Sequence, residues 1–215
     1  MMEQLPQLNA EEIRVLGSLI EKSKTTPDYY PLTLNALHTA CNQKSSRNPV
    51  VDYDEETVVI ALDSLKKKQL IAHVIGGGRA IKYRHTIAVS YPLDPAETSV
   101  LCLLFLRGPL TAGEINSNSG RLYEFDSIQE VQQTLENLAS YELPFVQLLP
   151  KKPGQKEGRY AHCFAPIPEI DETSVHEPAR KSVSELEERI TTLENEVLNL
   201  KEIVAKLQSE WEAFQ

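Results

Sequence analysis

Positive charge is what this chain most lacks. Against 22 lysines and arginines stand 31 aspartates and glutamates, a net charge of -9 over 215 residues. Nucleic-acid binding begins with phosphate neutralisation, so this balance excludes a basic footprint over the whole molecule and leaves only local patches for that role. Cysteine is also scarce. Cys41, Cys102 and Cys163 are odd in number, far apart and set in apolar patterns, which suits reduced, partly buried thiols better than a disulfide framework. No apolar run approaches the roughly 18 residues of a membrane span. The opening Met-Met-Glu-Gln-Leu-Pro lacks a basic stretch followed by an apolar one. A cytoplasmic protein with no membrane partner is expected.

Catalytic spacings are missing as well. The histidines are His38, His73, His85, His162 and His176, and no C-x-x-C or H-x-x-x-H joins them to the cysteines. His38 and Cys41 share a helix face and His162 adjoins Cys163, which reads as packing rather than as a metal site. Gly76 to Gly78 has no helix opening after it, so it is a hairpin turn and not a phosphate loop. No catalytic residue, metal or cofactor is expected, and the chain does not read as an enzyme.

What is present is ordinary material for one or two domains, 41% hydrophobic and 25% charged. The charge is uneven: residues 1–92 carry 11 basic and 10 acidic side chains, residues 93–168 carry 6 and 9, and residues 169–215 carry 5 and 12. Asn9 with Glu12 forms a capping box for a first helix whose inner stripe is Ile13, Leu16 and Ile20. That helix should end near Lys24, before the prolines Pro27 and Pro31. Thr33 or Asn35 opens a second helix with Leu34, Leu37 and Cys41 on one face. Asp52 or Asp54 opens a third, with Val58, Ala61, Leu62 and Leu65 inward, acids in its first turn and Lys66 to Lys68 at its end, as the helix dipole favours. Ile71 to Ile75 and Ala80 to Thr86 then read as a hairpin. Three helices and a hairpin are the winged-helix plan.

A second copy follows. Asp94 with Glu97 and Thr111 with Glu114 form two more capping boxes, and Asp126 and Ser127 open another helix. Val58, Leu62, Leu65 and Leu70 map onto Val131, Leu135, Leu138 and Leu143 at one shared offset, a sign of internal duplication. A second hairpin is expected over 145–149 and 159–165. The predicted fold is therefore mainly α with small β-hairpin wings (α+β): winged-helix domains at 1–92 and 93–165, a linker at 166–181, and a C-terminal coiled-coil helix at 182–215.

The coiled coil rests on two heptad positions. Val183, Ile190, Val197, Val204 and Trp211 occupy one; Leu186, Leu193, Leu200, Leu207 and Phe214 occupy the other. Mostly β-branched residues at the first and leucine at the second favour a parallel two-stranded coil, hence a homodimer. The alternative is that this helix folds back on its own chain.

Two local patches have the side chains for nucleic-acid contact: Lys44, Ser45, Ser46, Arg47 and Asn48 before the third helix, and Arg79, Lys82 and Arg84 on the first hairpin. The alternative is that they solvate a turn and a β-edge. Against groove reading stands the acidic start of the third helix, since a major-groove helix presents its N-terminal residues to DNA.

The segments Leu8 to Glu12, Thr33 to Leu37, Ala40 to Val50 and Leu106 to Glu114 together resemble the YceH-like family of uncharacterised bacterial proteins, over about Leu8 to Ala165. The resemblance implies a tandem winged-helix fold and brings no activity, ligand or catalytic residue with it. In the family pattern an aspartate often precedes the proline where this chain has Asn48. The resulting expectation is a dimeric DNA-binding or transcription-regulator-like protein acting on double-stranded DNA. The alternative is a protein-interaction scaffold of the same architecture without direct DNA binding, which rests on fold analogy.

Overall fold

Among the described residues, six helices begin where a side chain accepts from the free backbone amides of the first turn. Asn9, Thr33, Asp54, Asp94, Thr111 and Ser127 are those caps, and Glu12, Glu97 and Glu114 close capping boxes. The computed structural model describes residues 4–75, 81–151, 157–166 and 201. Its first part runs through α1 (Ala10–Thr25), a single 3-10 turn (Pro27–Tyr29), β1 (Leu32–Thr33), α2 (Leu34–Cys41), α3 (Glu55–Lys67), β2 (Ile71–Ile75), β3 (Ile81–His85) and the short α4 (Ile87–Ser90). The second part comprises α5 (Pro95–Arg107), α6 (Ala112–Ser119), α7 (Ile128–Ser140), β4 (Val146–Leu148) and β5 (Tyr160–His162).

The first sheet has the order β1-β3-β2, antiparallel throughout, with Leu32 opposite Tyr83 and Ile71 opposite His85. In the second, Val146 lies opposite His162, and Leu110 bridges to Tyr160. The chain is thus a mixed α+β protein with small antiparallel sheets, and the two parts repeat one plan. Pro-Leu-Thr precedes the second helix of each, at Pro31 to Thr33 and Pro109 to Thr111, and Tyr-x-His closes each hairpin, at Tyr83 to His85 and Tyr160 to His162. The strands of the second hairpin are shorter than the sequence pattern suggests. The pairing ends where the Cys163 amide donates to the Phe145 carbonyl at 2.8 Å, and Phe164 then enters the core.

That core is continuous across both parts. α1 buries almost its whole middle, Val15 to Ile20, and α5 is buried from Ala96 to Leu106, as expected of a helix that is apolar on all sides. The two helices meet at Gly17. A Cβ there would lie 3.0 Å from Cβ of Phe105 and 2.9 Å from Cδ2 of Leu106, so only glycine allows this approach. The Cys102 thiol donates to the Gly17 carbonyl across the same contact, at 3.5 Å. Leu8 donates its amide to the Phe164 carbonyl at 2.7 Å, tying the N-terminal arm to the end of the second hairpin. The heptad positions from Val183 to Phe214 and the linker beyond Pro166 lie outside the described residues, as does Arg79.

Candidate functional site

The connection between α2 and α3 is where the two parts differ most. In the first part it spans residues 42–54; its counterpart between α6 and α7 spans 120–127. The longer connection is held from below by two arginines. Arg14, buried on α1, donates from Nη1 to the Cys41 carbonyl at 3.2 Å and from Nη2 to the Pro49 carbonyl, so one side chain grips the loop at its start and again past its middle. Arg47 is only 2% exposed. Its Nη1 and Nη2 straddle the Glu21 carboxylate at 3.0 and 2.7 Å, and it also donates to the carbonyls of Ala40 and Ser46 and to Oε1 of Gln43. Burial works against ionisation of Glu21, but hydrogen bonding and charge from Arg47, with a smaller contribution from Lys22, outweigh it and hold the carboxyl below its ordinary range.

Arg47 therefore departs from the surface role its sequence context suggests. Its charge is neutralised inside the protein, and no donor of its guanidinium faces solvent in a position to meet a phosphate. The signal that foretells this is on α1, where Arg14 and Glu21 are spaced seven apart and so lie on one face. Reading only the apolar stripe overlooks them.

The other candidates are dispersed. Lys44 and Ser45 are exposed at the loop tip, and Ser46 is half-buried with a φ of 58°. Asn48 is exposed, but its amide donates to the Leu106 carbonyl at 2.8 Å and its side chain to the Arg107 carbonyl at 3.4 Å, docking the loop on the end of α5. On β3, Tyr83 packs against the core and His85 reaches Oγ of Ser23 at 3.2 Å. Strand alternation then places Lys82 and Arg84 on the outer face of the sheet, across from Thr33, Val74 and Ala72.

The helix that follows the loop carries the more unusual surface. α3 turns Val58, Ala61, Leu62 and Leu65 to the core. Its outer face presents Glu56, Val59, Ile60, Asp63 and Lys67, with Asp52, Asp54 and Glu55 at its start. Val59 is 36% and Ile60 62% exposed, and Val50, just before the helix, is 54% exposed. The unbroken apolar run Val58 to Leu62, wider than one helix face, is the sequence signal for these two residues.

Burial pushes the Cys41 thiol up to about 11 and raises that of Cys102 further, so neither is a thiolate near neutrality. His38 Nε2 lies 2.8 Å from the Tyr53 carbonyl. Among the described residues no three His, Cys, Asp or Glu side chains are grouped to hold a metal ion, and no helix is long and apolar enough to cross a membrane.

Residues 8–155 match the model of a family described as a protein of unknown function, DUF480. The chain is 48% identical over 215 residues to a UPF0502 protein of Geotalea uraniireducens, covering 95% of this chain and 98% of that one. It is 44% identical over 214 residues to a UPF0502 protein of Shewanella piezotolerans, covering 94% and 98%. With a UPF0502 protein of Geobacter sulfurreducens the identity is 46% over 196 residues, 90% of each chain.

Proposed function

The chain belongs to the DUF480 (UPF0502) family of uncharacterised bacterial proteins, and we propose that it is a protein-interaction module, a pair of winged-helix units in tandem whose first unit docks a partner through α3. Support for the winged-helix reading comes from the repeated order of three helices and a hairpin, with β1 before the second helix of the first half and the bridge at Leu110 in the second half each pairing onto a hairpin. The linker and heptad segment support two such arms joined as a cytoplasmic homodimer by a parallel coiled coil.

One observation carries the choice of a protein over DNA. The helix that a winged-helix DNA reader would insert in the major groove presents Glu55, Glu56 and Asp63 together with exposed Val59 and Ile60. Phosphates are repelled by that surface, while a protein can cover its apolar part. Duplex binding is the second reading, favoured by Lys82 and Arg84 on the outer face of β3 and by exposed Lys44. It places contact on the hairpin and loop tip instead of on α3.

The two readings separate in one pair of measurements. Full-length protein is titrated by fluorescence anisotropy with random-sequence duplex DNA at low and moderate salt. In parallel, a photo-cross-linking residue at position 60 is activated in living cells. The interaction module gives a discrete protein adduct from position 60 and no saturable duplex binding. Salt-sensitive duplex binding that is lost in Lys82→Ala/Arg84→Ala, with no adduct from position 60, replaces it with the DNA reading.

A further inference from the structure

We infer that the outer face of α3 is a docking site for a protein segment that presents an aliphatic side chain flanked by lysine or arginine. This rests on the interaction-module reading and adds the residues of the site and the chemistry of its partner.

The second half of the protein serves as an internal control. α3 and α7 are equivalent helices of equal length. Their C-cap residues, Lys68 and Tyr141, both donate to the buried capping-box glutamate of the first helix in their own half, Glu12 and Glu97. Aligned on those caps, Val58, Leu62 and Leu65 coincide with Val131, Leu135 and Leu138, which are buried in the same way. On the outer face the two helices part company. Val59 and Ile60 fall on Gln132 and Gln133, both exposed. The same fold therefore works with amide side chains at these positions, and among the described residues the packing of α3 leaves Ile60 62% exposed. The cost of Val59 and Ile60 in exposed apolar surface is specific to the first half, as is that of Val50 in the longer α2–α3 connection.

Charge selects the occupant. Along this face Asp52, Glu55, Glu56 and Asp63 outnumber Lys66 and Lys67, and the acids crowd the N-terminal two-thirds of the helix where Val59 and Ile60 sit. A polyanion is repelled there, and an uncharged apolar ligand leaves the carboxylates without partners. A peptide segment with a leucine- or isoleucine-like residue over Val59 and Ile60, and basic residues reaching Glu56 and Asp63, satisfies both parts.

The test uses the full-length protein and a fluorescent peptide of about four helical turns, built from leucine, lysine and alanine, with leucines on one stripe and lysines beside it. A second peptide has serine in place of leucine at equal charge. The leucine peptide is expected to bind saturably. Val59→Gln/Ile60→Gln, which installs the residues of the sister helix and keeps the melting temperature, is expected to lose about tenfold in affinity, as for removal of central anchors. Glu56→Gln/Asp63→Asn should weaken binding and flatten its salt dependence, and the serine peptide should bind far more weakly than the leucine peptide. Equal affinity of the two peptides, unchanged affinity of the glutamine variant, or no binding by the wild-type protein overturns the inference. In each of those cases a discrete cellular adduct from position 60 leaves the interaction module standing with a partner of other chemistry, and absence of the adduct removes both.

Discussion

Arg47 and Glu21 form a two-pronged ion pair inside the protein, with Nη1 to Oε1 at 3.0 Å and Nη2 to Oε2 at 2.7 Å. The arginine belongs to the α2–α3 connection and the glutamate to α1, so the pair fixes a loop to the central helix of its own half. Desolvating two charges offsets much of their attraction, and the value of such a pair lies in the geometry it specifies.

Replacing Arg47 by alanine leaves the Glu21 carboxylate half-sheltered without its partner and the Ala40 and Ser46 carbonyls without a donor. The expected loss is about 3–5 kcal/mol in chemical denaturation. Arg47→Met/Glu21→Leu, which removes both charges and restores volume, should recover the part due to the unpaired carboxylate but not the part due to the two carbonyls. A double variant no more stable than Arg47→Ala sinks the account of the arginine as partner to that carboxylate.

Gly17 makes an equally local prediction. Gly17→Ala sets a methyl against Cβ of Phe105 at 3.0 Å and Cδ2 of Leu106 at 2.9 Å, forcing α1 and α5 apart. Overpacking of this kind costs about 1–3 kcal/mol. Gly113→Ala, on α6 with nothing nearer than 3.9 Å except its own helix and neighbours, is the control that keeps wild-type stability. Thermal melts of the pair decide it.

Tyr141 donates its hydroxyl to the Glu97 carboxylate at 3.1 and 3.2 Å and to the Pro92 carbonyl at 3.1 Å. Tyr141→Phe keeps the ring on Phe145 and removes only the donor, for an expected loss of about 1.5–3 kcal/mol, the range for hydrogen bonds to charged groups. Stability equal to wild type in urea unfolding would show that solvent replaces the hydroxyl.

Acid sensitivity follows from the two hairpin histidines. Burial lowers His85 and His162 to about 4, with Lys24 and Arg84 adding to the effect at His85. A folded-state value below the ordinary one of about 6.5 means that the unfolded chain binds these protons first. The stability they contribute is complete above about pH 6.5 and is lost as pH falls toward 4. The lowered Glu21 carboxyl acts in the same direction at lower pH. Unfolding free energy measured between pH 7 and 4.5 should decline, and His162→Phe, which fits the aromatic cluster of Phe105 and Phe164, should flatten the decline. An unchanged slope in that variant assigns the acid sensitivity elsewhere.

Local chemistry made much of this fold legible in advance. The caps at Asn9, Thr33, Asp54, Asp94 and Thr111 act within three residues, and the 3.6-residue stripes on α3 and α7 need only one face to find apolar surroundings. The equal offset from Val58 to Leu143 pointed to duplication for the same reason: each copy repeats its own short-range rules. Even Val59 and Ile60 stand out on inspection, because an apolar run wider than a helix face leaves something outside.

The fate of the charged residues was decided only by tertiary structure. Lys44, Arg47 and Arg84 are alike as residues in polar stretches, yet Arg47 alone is enclosed, because Glu21, 26 residues earlier, comes to lie beneath the loop. No local rule links those positions; the packing of α2 and α3 onto α1 does. Likewise the approach of Gly17 to Phe105 and Leu106 follows from two apolar helices far apart in sequence finding their closest fit. The amino-acid order by itself determined the six capped helices, the two hairpins and that there are two similar sets of them, but not β1, the 3-10 turn or α4. Folding determined which charges remain at the surface to meet a partner, since burial and pairing depend on neighbours brought together from distant parts of the chain.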